Sequence, residues 1–416
     1  MKHLAGWLTI FLLSLLFIAP VRATDPVFSV DWDQKLGGAD ADFANEVLPT
    51  SDGGYLAVGV NGVANDLSFY VVKLTAVGDI AWEQTLSLSL SGEYAYDLVE
   101  SNDGYVIIGE ANILSPHQSR PWLVKLSPSG EILWSTENSW TQTLPVSSGI
   151  IVGAAAGDGQ VFVASGSNTM TNPQDPWVVK VDAHGDLIFY GELEPLATGF
   201  GQGTYVLDMV ATPDGGFALT GTVSPPSLGE AYLWKFDANG HEEWVQTYGD
   251  LFFRAAHSVR LAANGDYLLA GCDLPNCSNT ALLRADAAGN MLWYREFEDA
   301  NDYSNGWDII ERADGSLILL QQRFDAYGTT TFASDLLHLN ATGELLHSMT
   351  LSGGDRSTAL RRLHLTAQGF GWIAAGNSNE TTNGSAIDFY LVRGSFMDMN
   401  PEAPLTYRVM LPIIRR

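Results

Sequence analysis

A set of three short markers that returns about every 50 residues most constrains the fold of this 416-residue chain. The string WLVKLSPSGEILW at 122–134 returns as YLWKFDANGHEEW at 232–244 and as LLRADAAGNMLW at 282–293. Self-similarity at a fixed period indicates a repeat architecture, in which each unit packs against its neighbours. The strands of one unit therefore predict the whole fold.

The first marker is a tight turn followed by an apolar run. Asp-Gly or Asn-Gly supplies the positive φ that a tight hairpin needs, and the apolar run after it is typical of a strand. The marker occurs seven times, as SDGGYLAVG (51–59), NDGYVIIG (102–109), GDGQVFVAS (157–165), PDGGFALTG (213–221), NGDYLLAG (264–271), DGSLILL (314–320) and QGFGWIAAG (368–376).

The second marker is an apolar run that carries one basic residue, at steps of 52, 55, 55, 49, 54 and 55 residues. The basic residues are Lys73, Lys125, Lys180, Lys235, Arg284, His338 and Arg393. We expect each to lay its stem along a sheet and to keep its charged end in water.

The third marker is a glycine turn with an aromatic residue four positions later. The pairs are Gly78 and Trp82, Gly130 and Trp134, Gly185 and Phe189, Gly240 and Trp244, and Gly289 and Trp293. Gly343 leads only to His347, which makes a degenerate copy. We expect the aromatic ring to pack as a wedge between neighbouring units, where a large ring buries much area.

One more apolar segment precedes each Asp-Gly turn, so each unit holds four short strands, lettered A to D. Helix-period stretches are missing from the repeat. Four strands per unit, repeated seven times, predict an all-β, seven-bladed β-propeller with four antiparallel strands per blade over residues 24–398. An open stack of repeats and an eight-bladed ring are the alternatives.

The seventh D strand is expected at the start of the propeller rather than at its end. The segment FSVDWDQKL at 28–36 matches a D strand, because its Trp32 lies 50 residues before Trp82. We predict that this N-terminal strand completes the last blade, whose A, B and C strands lie at about 358–393. Such closure hides two sheet edges that would otherwise pair with other chains.

Both ends of the sequence fall outside the repeat. Residues 1–23 have the pattern of a signal peptide, with a basic Lys2, an apolar run at 4–19 and a small-residue cleavage site ending at Ala23. An uncleaved anchor is the alternative, although the run is short for a span of about 20 residues. We expect a secreted or cell-surface protein with no membrane span after cleavage. For the tail at 399–416, a docking strand, a sorting-signal remnant and a disordered terminus stay open.

Charge and cysteine content narrow the partners. The formal net charge of −27 repels nucleic acid and anionic membrane surfaces, so neither is expected as a partner. The two cysteines, Cys272 and Cys277, most simply form a disulfide that closes a small loop in an oxidising compartment. A metal site would need more ligands nearby than this stretch offers. We expect a monomer.

With these markers the chain resembles the extracellular β-propeller repeat proteins of bacteria and archaea, whose repeats read D-G-G-[YF], apolar-Lys-apolar and G-x-x-x-W. The resemblance covers about 28–394 and implies the fold and a secreted or surface location. The turn and its Trp are also similar to the tryptophan motif of quinoprotein dehydrogenases. Here Asp237 and Gly240 are one residue closer than in that motif, and Cys272 and Cys277 are not the adjacent pair that the family places over its quinone. No quinone cofactor is therefore predicted.

The candidate binding site lies on the propeller rim that carries the D–A and B–C loops. These loops are longer and more variable than the turns of the other rim, as expected where a rigid scaffold carries a site. Their acids and aromatic rings suit a glycan or peptide, with Ca²⁺ on oxygen ligands as a further option. The candidate ligand-binding residues are Tyr94, Tyr96, Phe252, Arg254, His257, Asp302, Tyr303, Trp307 and Arg356. The alternative is that they cap the channel and bind nothing specific.

A second pattern places one carboxylate shortly before the A–B turn in four blades, at Glu46, Asp97, Asp208 and Asp308. Four carboxylates around a channel could hold a cation, or each could cap backbone amides at the start of its own A strand. Two blades depart from this pattern and could form a local basic patch, with Arg254, His257 and Arg260 in one and Arg361, Arg362 and His364 in the other.

Motifs of common enzymes are missing from the sequence: it has no H-E-x-x-H, G-x-S-x-G, P-loop or EF-hand loop. The favoured hypothesis is a non-catalytic binding module for a glycan or a protein. An extracellular polysaccharide hydrolase or lyase and a structural surface protein without a ligand are the alternatives.

Overall fold

The computed structural model describes residues 28–38, 42–63, 66–88, 92–115, 118–137, 141, 150–165, 176–196, 203–224, 229–249, 253–273, 277–298, 302–325, 333–351, 356–380 and 387–397. Within them, 28 strands form seven four-stranded antiparallel sheets. This confirms the all-β, seven-bladed propeller. The predicted signal peptide, Phe252 and the 399–416 tail lie outside the described residues.

The first four blades each use four consecutive strands, which follow the order A, B, C, D. Blade 1 has β2 (Phe43–Pro49), β3 (Tyr55–Val63), β4 (Asp66–Leu74) and β5 (Ile80–Leu86). Blade 2 has β6 (Glu93–Ser101), β7 (Gly104–Ser115), β8 (Gln118–Leu126) and β9 (Ile132–Ser135). Blade 3 has β10 (Ile151–Gly157), β11 (Gln160–Ser165), β12 (Trp177–Val181) and β13 (Leu187–Glu192). Blade 4 has β14 (Gly203–Ala211), β15 (Phe217–Ser224), β16 (Glu230–Phe236) and β17 (Glu242–Thr247).

The last three blades follow the same order, except that blade 7 takes its D strand from the start of the propeller. Blade 5 has β18 (Phe253–Leu261), β19 (Tyr267–Asp273), β20 (Thr280–Ala285) and β21 (Met291–Phe297). Blade 6 has β22 (Asp302–Glu311), β23 (Leu317–Asp325), β24 (Ala333–Leu339) and β25 (Leu345–Thr350). Blade 7 has β26 (Arg356–Leu365), β27 (Gly371–Glu380), β28 (Ile387–Phe396) and β1 (Phe28–Leu36).

Blade 7 closes the ring as predicted. Strand β1 pairs antiparallel with β28, with Phe28 opposite Phe396, Trp32 opposite Arg393 and Leu36 at the other end of the ladder. Each A strand also contacts the A strands of both neighbouring blades, so the seven A strands surround one central channel. The open stack and the eight-bladed ring are thereby excluded.

The apolar core is divided among the blade interfaces. Seven clusters of buried apolar side chains occur in the described residues, one between each pair of neighbouring blades. No single blade could bury its faces alone, because each face is covered by the next blade. Stability therefore depends on the closed ring.

The D-strand aromatic residues are wedges, as predicted, and each one lies on the C–D turn of the next blade. Six glycines receive these rings: Gly78 under Trp32, Gly130 under Trp82, Gly185 under Trp134, Gly240 under Phe189, Gly289 under Trp244 and Gly343 under Trp293. A Cβ at these glycines would lie 2.6–3.1 Å from the ring, and φ is positive at all six. Glycine is therefore required both for the backbone conformation and for the space.

The degenerate copy at His347 follows from the ring closure. His347 lies on the D strand of blade 6, and the next blade has no C–D turn because its C strand β28 and its D strand β1 come from opposite ends of the propeller. With no turn glycine to pack on, the position does not need a wedge. His347 instead stacks on His338, with ring centroids 5.9 Å apart.

The prediction that the strand-C basic residue keeps its charge in water is wrong in at least four blades. The Lys73 side chain is only 4% exposed, and its Nζ lies 2.9 Å from Asp52 of the A–B turn in the same blade. The turn carboxylate covers the ammonium group and takes the place of the water that would otherwise solvate it. The ion pair thereby offsets the desolvation cost of burying the charge. The same ion pair joins Lys125 to Asp103, Lys235 to Asp214 and Arg284 to Asp266.

Candidate functional site

The entrance to the central channel on the D–A loop rim is built by a bulge in the innermost strand. In six blades, the pairing of strand A with strand B skips one residue near the middle of strand A, and blade 5 has a second such shift at Arg254. The skipped residues are Asn45, Tyr96, Leu207, His257, Trp307 and Arg361. A bulge adds one residue to a strand and redirects its side chain. Blade 3 has no such shift near the start of its strand A and contributes Ile150, which lies just before β10.

These seven residues, one from each blade, line a cavity of about 210 Å³ together with Arg362. We call them the channel mouth. The mouth has an apolar half and a polar half. Tyr96, Ile150 and Leu207 come from the consecutive blades 2, 3 and 4, whereas His257, Trp307, Arg361 and Asn45 come from blades 5, 6, 7 and 1.

Three planar side chains make up most of the polar half. The His257 ring stacks on the Trp307 indole, with centroids 4.7 Å apart and planes 17° apart. The Arg361 guanidinium also contacts that indole, with its carbon 5.3 Å from the ring centroid. Trp307 therefore holds its neighbours from blades 5 and 7 in place across two blade interfaces.

His257 is fixed as a hydrogen-bond acceptor toward the cavity. Its Nδ1 lies 2.9 Å from the Gly306 carbonyl oxygen, which can only accept, so Nδ1 carries the proton. Burial lowers the pKa of His257, and the nearby Arg361 and Arg362 charges lower it further. The ring is therefore neutral at pH 7, and none of the described residues donates a hydrogen bond to its Nε2.

Arg361 has no counter-ion within the described structure. Among the described residues it makes no ion pair, and burial together with the Arg362 charge lowers its pKa. Its Nε and the Nε1 of Trp307 are buried N–H groups with no hydrogen-bond partner in the described part of the chain. Buried donors are rarely left unsatisfied, so these two mark a place that a ligand can complete.

Directly beneath the mouth lies a buried charge layer, formed by Glu46, Asp97, Asp208 and Asp308 with Arg260, Arg362 and His364. Arg260 donates from Nη1 to Asp208 and from Nη2 to Asp308, both at 2.7 Å. Arg362 contacts Glu46 at 3.0 Å and Asp208 at 3.3 Å. The two guanidinium groups thus bridge blades that are not neighbours.

The Arg260 and Arg362 guanidinium groups lie among the four carboxylates, where the carboxylate pattern in the sequence allowed a bound cation. Within the described ranges, no three His, Cys, Asp or Glu side chains come close enough together to hold a metal ion. The expected basic patch is also not formed by Arg260 and Arg362, because the carboxylates neutralise both. Each loop-borne Ca²⁺ option stays a prediction, since much of the D–A loops lies outside the described residues.

Capping of backbone amides is the correct interpretation of the carboxylate pattern, and it extends to the next blade. Asp97 accepts from the Leu98 amide at 2.7 Å and from the Gly153 amide of blade 3 at 2.8 Å. Further inter-blade bonds run from the Val259 amide to Asp208 and from the Leu363 amide to Asp308. The carboxylates therefore join the A strands of successive blades.

The charge layer shifts the pKa of its members in both directions. Burial would raise the pKa of Glu46, but the His364 and Arg362 charges outweigh it, so this pKa is lowered. Asp97 contacts neither arginine, and burial with the nearby Glu46 charge raises its pKa to about 7. Burial also raises the pKa of Asp308. A second cavity, of about 320 Å³, lies on the turn side of the layer.

The structure brings three of the nine predicted site residues together: Tyr96, His257 and Trp307 line the channel mouth. Tyr94 stacks on Tyr96 with centroids 6.1 Å apart, behind the mouth. Tyr303 is 42% exposed and lies outside the lining. Arg254 lies close to Gly229, between blades 4 and 5. Asp302 and Arg356 begin β22 and β26, and their side chains lie outside the described part of the structure.

Sequence reasoning missed Asn45, Ile150, Leu207 and Arg361 as residues of one cavity. A signal was present for three of them and for Tyr96 and Trp307, because each directly precedes a member of the carboxylate pattern or its replacement at Arg362. Cys272 and Cys277 form the predicted disulfide, which joins strand β19 to the B–C loop of blade 5. Among the described residues, no helix has the length and apolar character needed to traverse a bilayer.

Comparison with known proteins supports the fold only. No family model matches the sequence, and no curated protein matches it. Raptor from Chaetomium thermophilum matches with a TM-score of 0.55 at 9% identity, over 88% of this chain and 29% of the Raptor chain. Sqt1 from Chaetomium thermophilum matches with a TM-score of 0.50 at 12% identity, over 89% of this chain and 99% of the Sqt1 chain. The protein is a seven-bladed β-propeller with a cavity at its channel mouth, and this fold suits a binding or interaction module in general.

Proposed function

We propose that this protein is a secreted or surface-located, non-catalytic binding module that takes part of a glycan or protein ligand into the channel mouth. One observation carries the proposal: each blade contributes one side chain to a single cavity, and two buried N–H groups in its wall have no partner among the described residues. A concave site with apolar walls and a few convergent polar groups is the usual form of a binding pocket.

The chemistry of the mouth favours binding over hydrolysis. Its described residues offer apolar surface, hydrogen-bond donors and acceptors and one cation. The carboxylates beneath are engaged by Arg260, Arg362 and backbone amides, and none of them is paired with a nucleophile among the residues that the structure describes. The pattern at residues 1–23 and the Cys272–Cys277 disulfide support an extracellular location, because disulfides persist in oxidising compartments.

Glycan-array and pull-down assays on the wild-type protein and on Leu207→Trp test the proposal. The larger ring fills the cavity while it leaves Trp307, His257 and Arg361 unchanged, so we expect at least about a tenfold loss of binding. Phe370→Ser is the matched control, because Phe370 is 54% exposed and lies on the A–B turn of blade 7, at the opposite rim. Tyr303→Ser shows whether the ligand also reaches the outer rim.

Each alternative has its own outcome in the same assays. Equal binding by Leu207→Trp and the wild type would place the ligand outside the mouth. Release of reducing ends or a fall in polymer viscosity would identify a hydrolase or lyase. If the wild-type protein binds nothing on either platform, a structural surface protein is the remaining interpretation.

A further inference from the structure

Arg361 differs from Arg260 and Arg362 because its positive charge has no carboxylate partner among the described residues. The sequence has 48 acidic residues and only 21 Lys and Arg residues, so a half-buried cation such as Arg361 has many carboxylates from which a partner could come. Arg260 and Arg362, one layer deeper, each contact two carboxylates. Arg361 contacts none in the described structure, and the charge that acts on it there is another cation, Arg362. A charge that is largely removed from water and has no counter-ion is costly unless something supplies one.

The position of Arg361 is nevertheless well defined. Its guanidinium lies against the Trp307 indole, which is itself held by the His257 ring. A planar guanidinium held in this way can present two parallel N–H groups to a carboxylate, which is the geometry that arginine recognises best. The anion is therefore expected from the ligand rather than from the protein.

The apolar half of the mouth determines which side chain the ligand can carry next to its anionic group. Ile150 and Leu207 are aliphatic, and Tyr96 shows its ring to the cavity because its hydroxyl donates to Glu110 at 2.9 Å. Aliphatic walls suit an apolar side chain better than a sugar, which prefers a flat aromatic surface. The cavity of about 210 Å³ has room for about one amino-acid residue.

The other polar groups of the mouth match the hydrogen-bonding groups at the carboxyl end of a peptide. Asn45 donates from Nδ2 to the Ala95 carbonyl at 2.8 Å, and within the described part of the chain nothing donates to its Oδ1, which can accept from a ligand. With the Nε2 of His257, the mouth thus offers two acceptors for a backbone N–H and two unsatisfied donors, on Arg361 and Trp307, for carboxylate oxygens. All four groups lie in one half of the cavity.

We propose that the channel mouth binds the carboxyl-terminal residue of a protein or peptide, with its α-carboxylate on Arg361 and its apolar side chain against Ile150, Leu207 and Tyr96. This rests on the binding role proposed above and narrows the ligand to a free, apolar carboxyl terminus. Arg361 then sets the specificity for the charge, and the aliphatic half sets the specificity for the side chain.

Isothermal titration calorimetry with four probes tests the proposal: N-acetyl-Gly-Gly-Leu as the free acid, the same peptide as its C-terminal amide, N-acetyl-Gly-Gly-Ser as the free acid, and glucuronic acid. We expect the leucine acid to bind at least about tenfold more tightly than its amide, because a bond to a charged group is lost. The serine acid should bind more weakly than the leucine acid. Equal binding of acid and amide, or no binding of the leucine acid, would overturn the inference.

Two variants at Arg361 and one matched control identify the residue responsible. Arg361→Gln should remove the preference for acid over amide, whereas Arg361→Lys should keep part of it because the positive charge remains. Arg295→Gln is the control, since Arg295 also lies over an indole, with its guanidinium carbon 5.6 Å from the Trp293 ring, but on the outer strand of blade 5. Arg361→Gln without ligand should melt at or above the wild-type temperature, and a marked fall would show that Arg361 is structural.

The outcomes separate this inference from the broader binding role. If Leu207→Trp abolishes binding of an array ligand and Arg361→Gln does not affect it, the mouth is a binding site and the carboxylate inference is wrong. If glucuronic acid binds and the leucine acid does not, the ligand is an acidic sugar and the inference is again wrong. If neither variant affects binding of any ligand, both proposals fail.

Discussion

Replacement of Arg260 tests whether the buried charge layer holds the blades together. Arg260 lies on blade 5 and donates to Asp208 of blade 4 and to Asp308 of blade 6, each at 2.7 Å. Arg260→Met keeps much of the side-chain volume and removes the charge. In this variant Asp308, which lies at the centre of the ring, has no arginine contact among the described residues.

The size of the effect follows from the two hydrogen bonds that Arg260 donates. Hydrogen bonds to charged groups contribute about 1.5–3 kcal/mol each, and removal of one partner from a buried ion pair costs about 3–5 kcal/mol. Asp208 keeps Arg362 at 3.3 Å and the Val259 amide, which limits the loss. We therefore expect the free energy of unfolding to fall by about 3–5 kcal/mol at pH 7, or about 1–2 M in the urea midpoint.

The loss should depend on pH with a defined sign. The pKa of Asp308 is already raised by burial, and without Arg260 it rises further. The folded state then keeps a proton that the unfolded state releases, so the stability of the variant falls as pH rises above the ordinary Asp pKa of about 4. The deficit relative to the wild type should be smaller at pH 5 than at pH 8.

Urea unfolding followed by tryptophan fluorescence at pH 5, 7 and 8 measures this deficit. Arg295→Met, on the outer strand of blade 5, is the control and should change stability by about 0.5 kcal/mol or less. Addition of Asp308→Asn to Arg260→Met should recover part of the loss at pH 8. A deficit below about 1 kcal/mol, or one that is the same at all three pH values, would refute the proposed role of the layer.

Two further predictions concern the wedges and the pH response. Gly289→Ala and Gly315→Ala both place an alanine at a positive φ near 80°, but only the Cβ at Gly289 would meet a ring, that of Trp244 at 2.6 Å. We expect Gly289→Ala to lower the thermal midpoint further, by the equivalent of about 1–3 kcal/mol, and equal midpoints would contradict the wedge. Because the pKa of Asp97 is raised to about 7, the contribution of Asp97 to wild-type stability should fall by a few kcal/mol as pH rises from about 4 to about 7. Asp97→Asn should lose this part of the dependence in denaturant titrations, and an unchanged profile would contradict it.

The sequence was sufficient for the architecture because the fold is repeated. Each marker recurs in most blades, so an irregular copy could be aligned with regular ones, and Trp32 could be assigned to a blade whose other strands end near Arg393. The wedge role of the aromatic residues was predictable for the same reason. Even the exception at His347 has a structural cause, since the following blade has no C–D turn.

The channel mouth was only partly predictable, because it depends on register and on contacts between distant blades. Tyr96, His257 and Trp307 were found as aromatic or titratable residues near D–A loops, whereas Ile150 and Leu207 have no chemical feature that separates them from core residues. A bulge adds one residue to a strand without a distinctive sequence, so the position before each carboxylate could be recognised as a bulged, cavity-lining position only from the strand register. The bridges from Arg260 to Asp208 and Asp308 span three blades and exist only once the ring has closed.

Ring closure also has a consequence for the order of assembly. Ser29 and Ser395 lie opposite each other in the β1–β28 ladder and are bonded across 366 positions of sequence. A growing polypeptide emerges from the ribosome β1 first, and this strand has no partner until β28 has been synthesised. Pairing between residues so remote in sequence is slow. A very large loop must be closed first, and its loss of conformational entropy comes before the stabilising contacts form. Until that last step the nascent chain exposes the outer edge of β28 and an unpaired β1, and both are open to contact with chaperones.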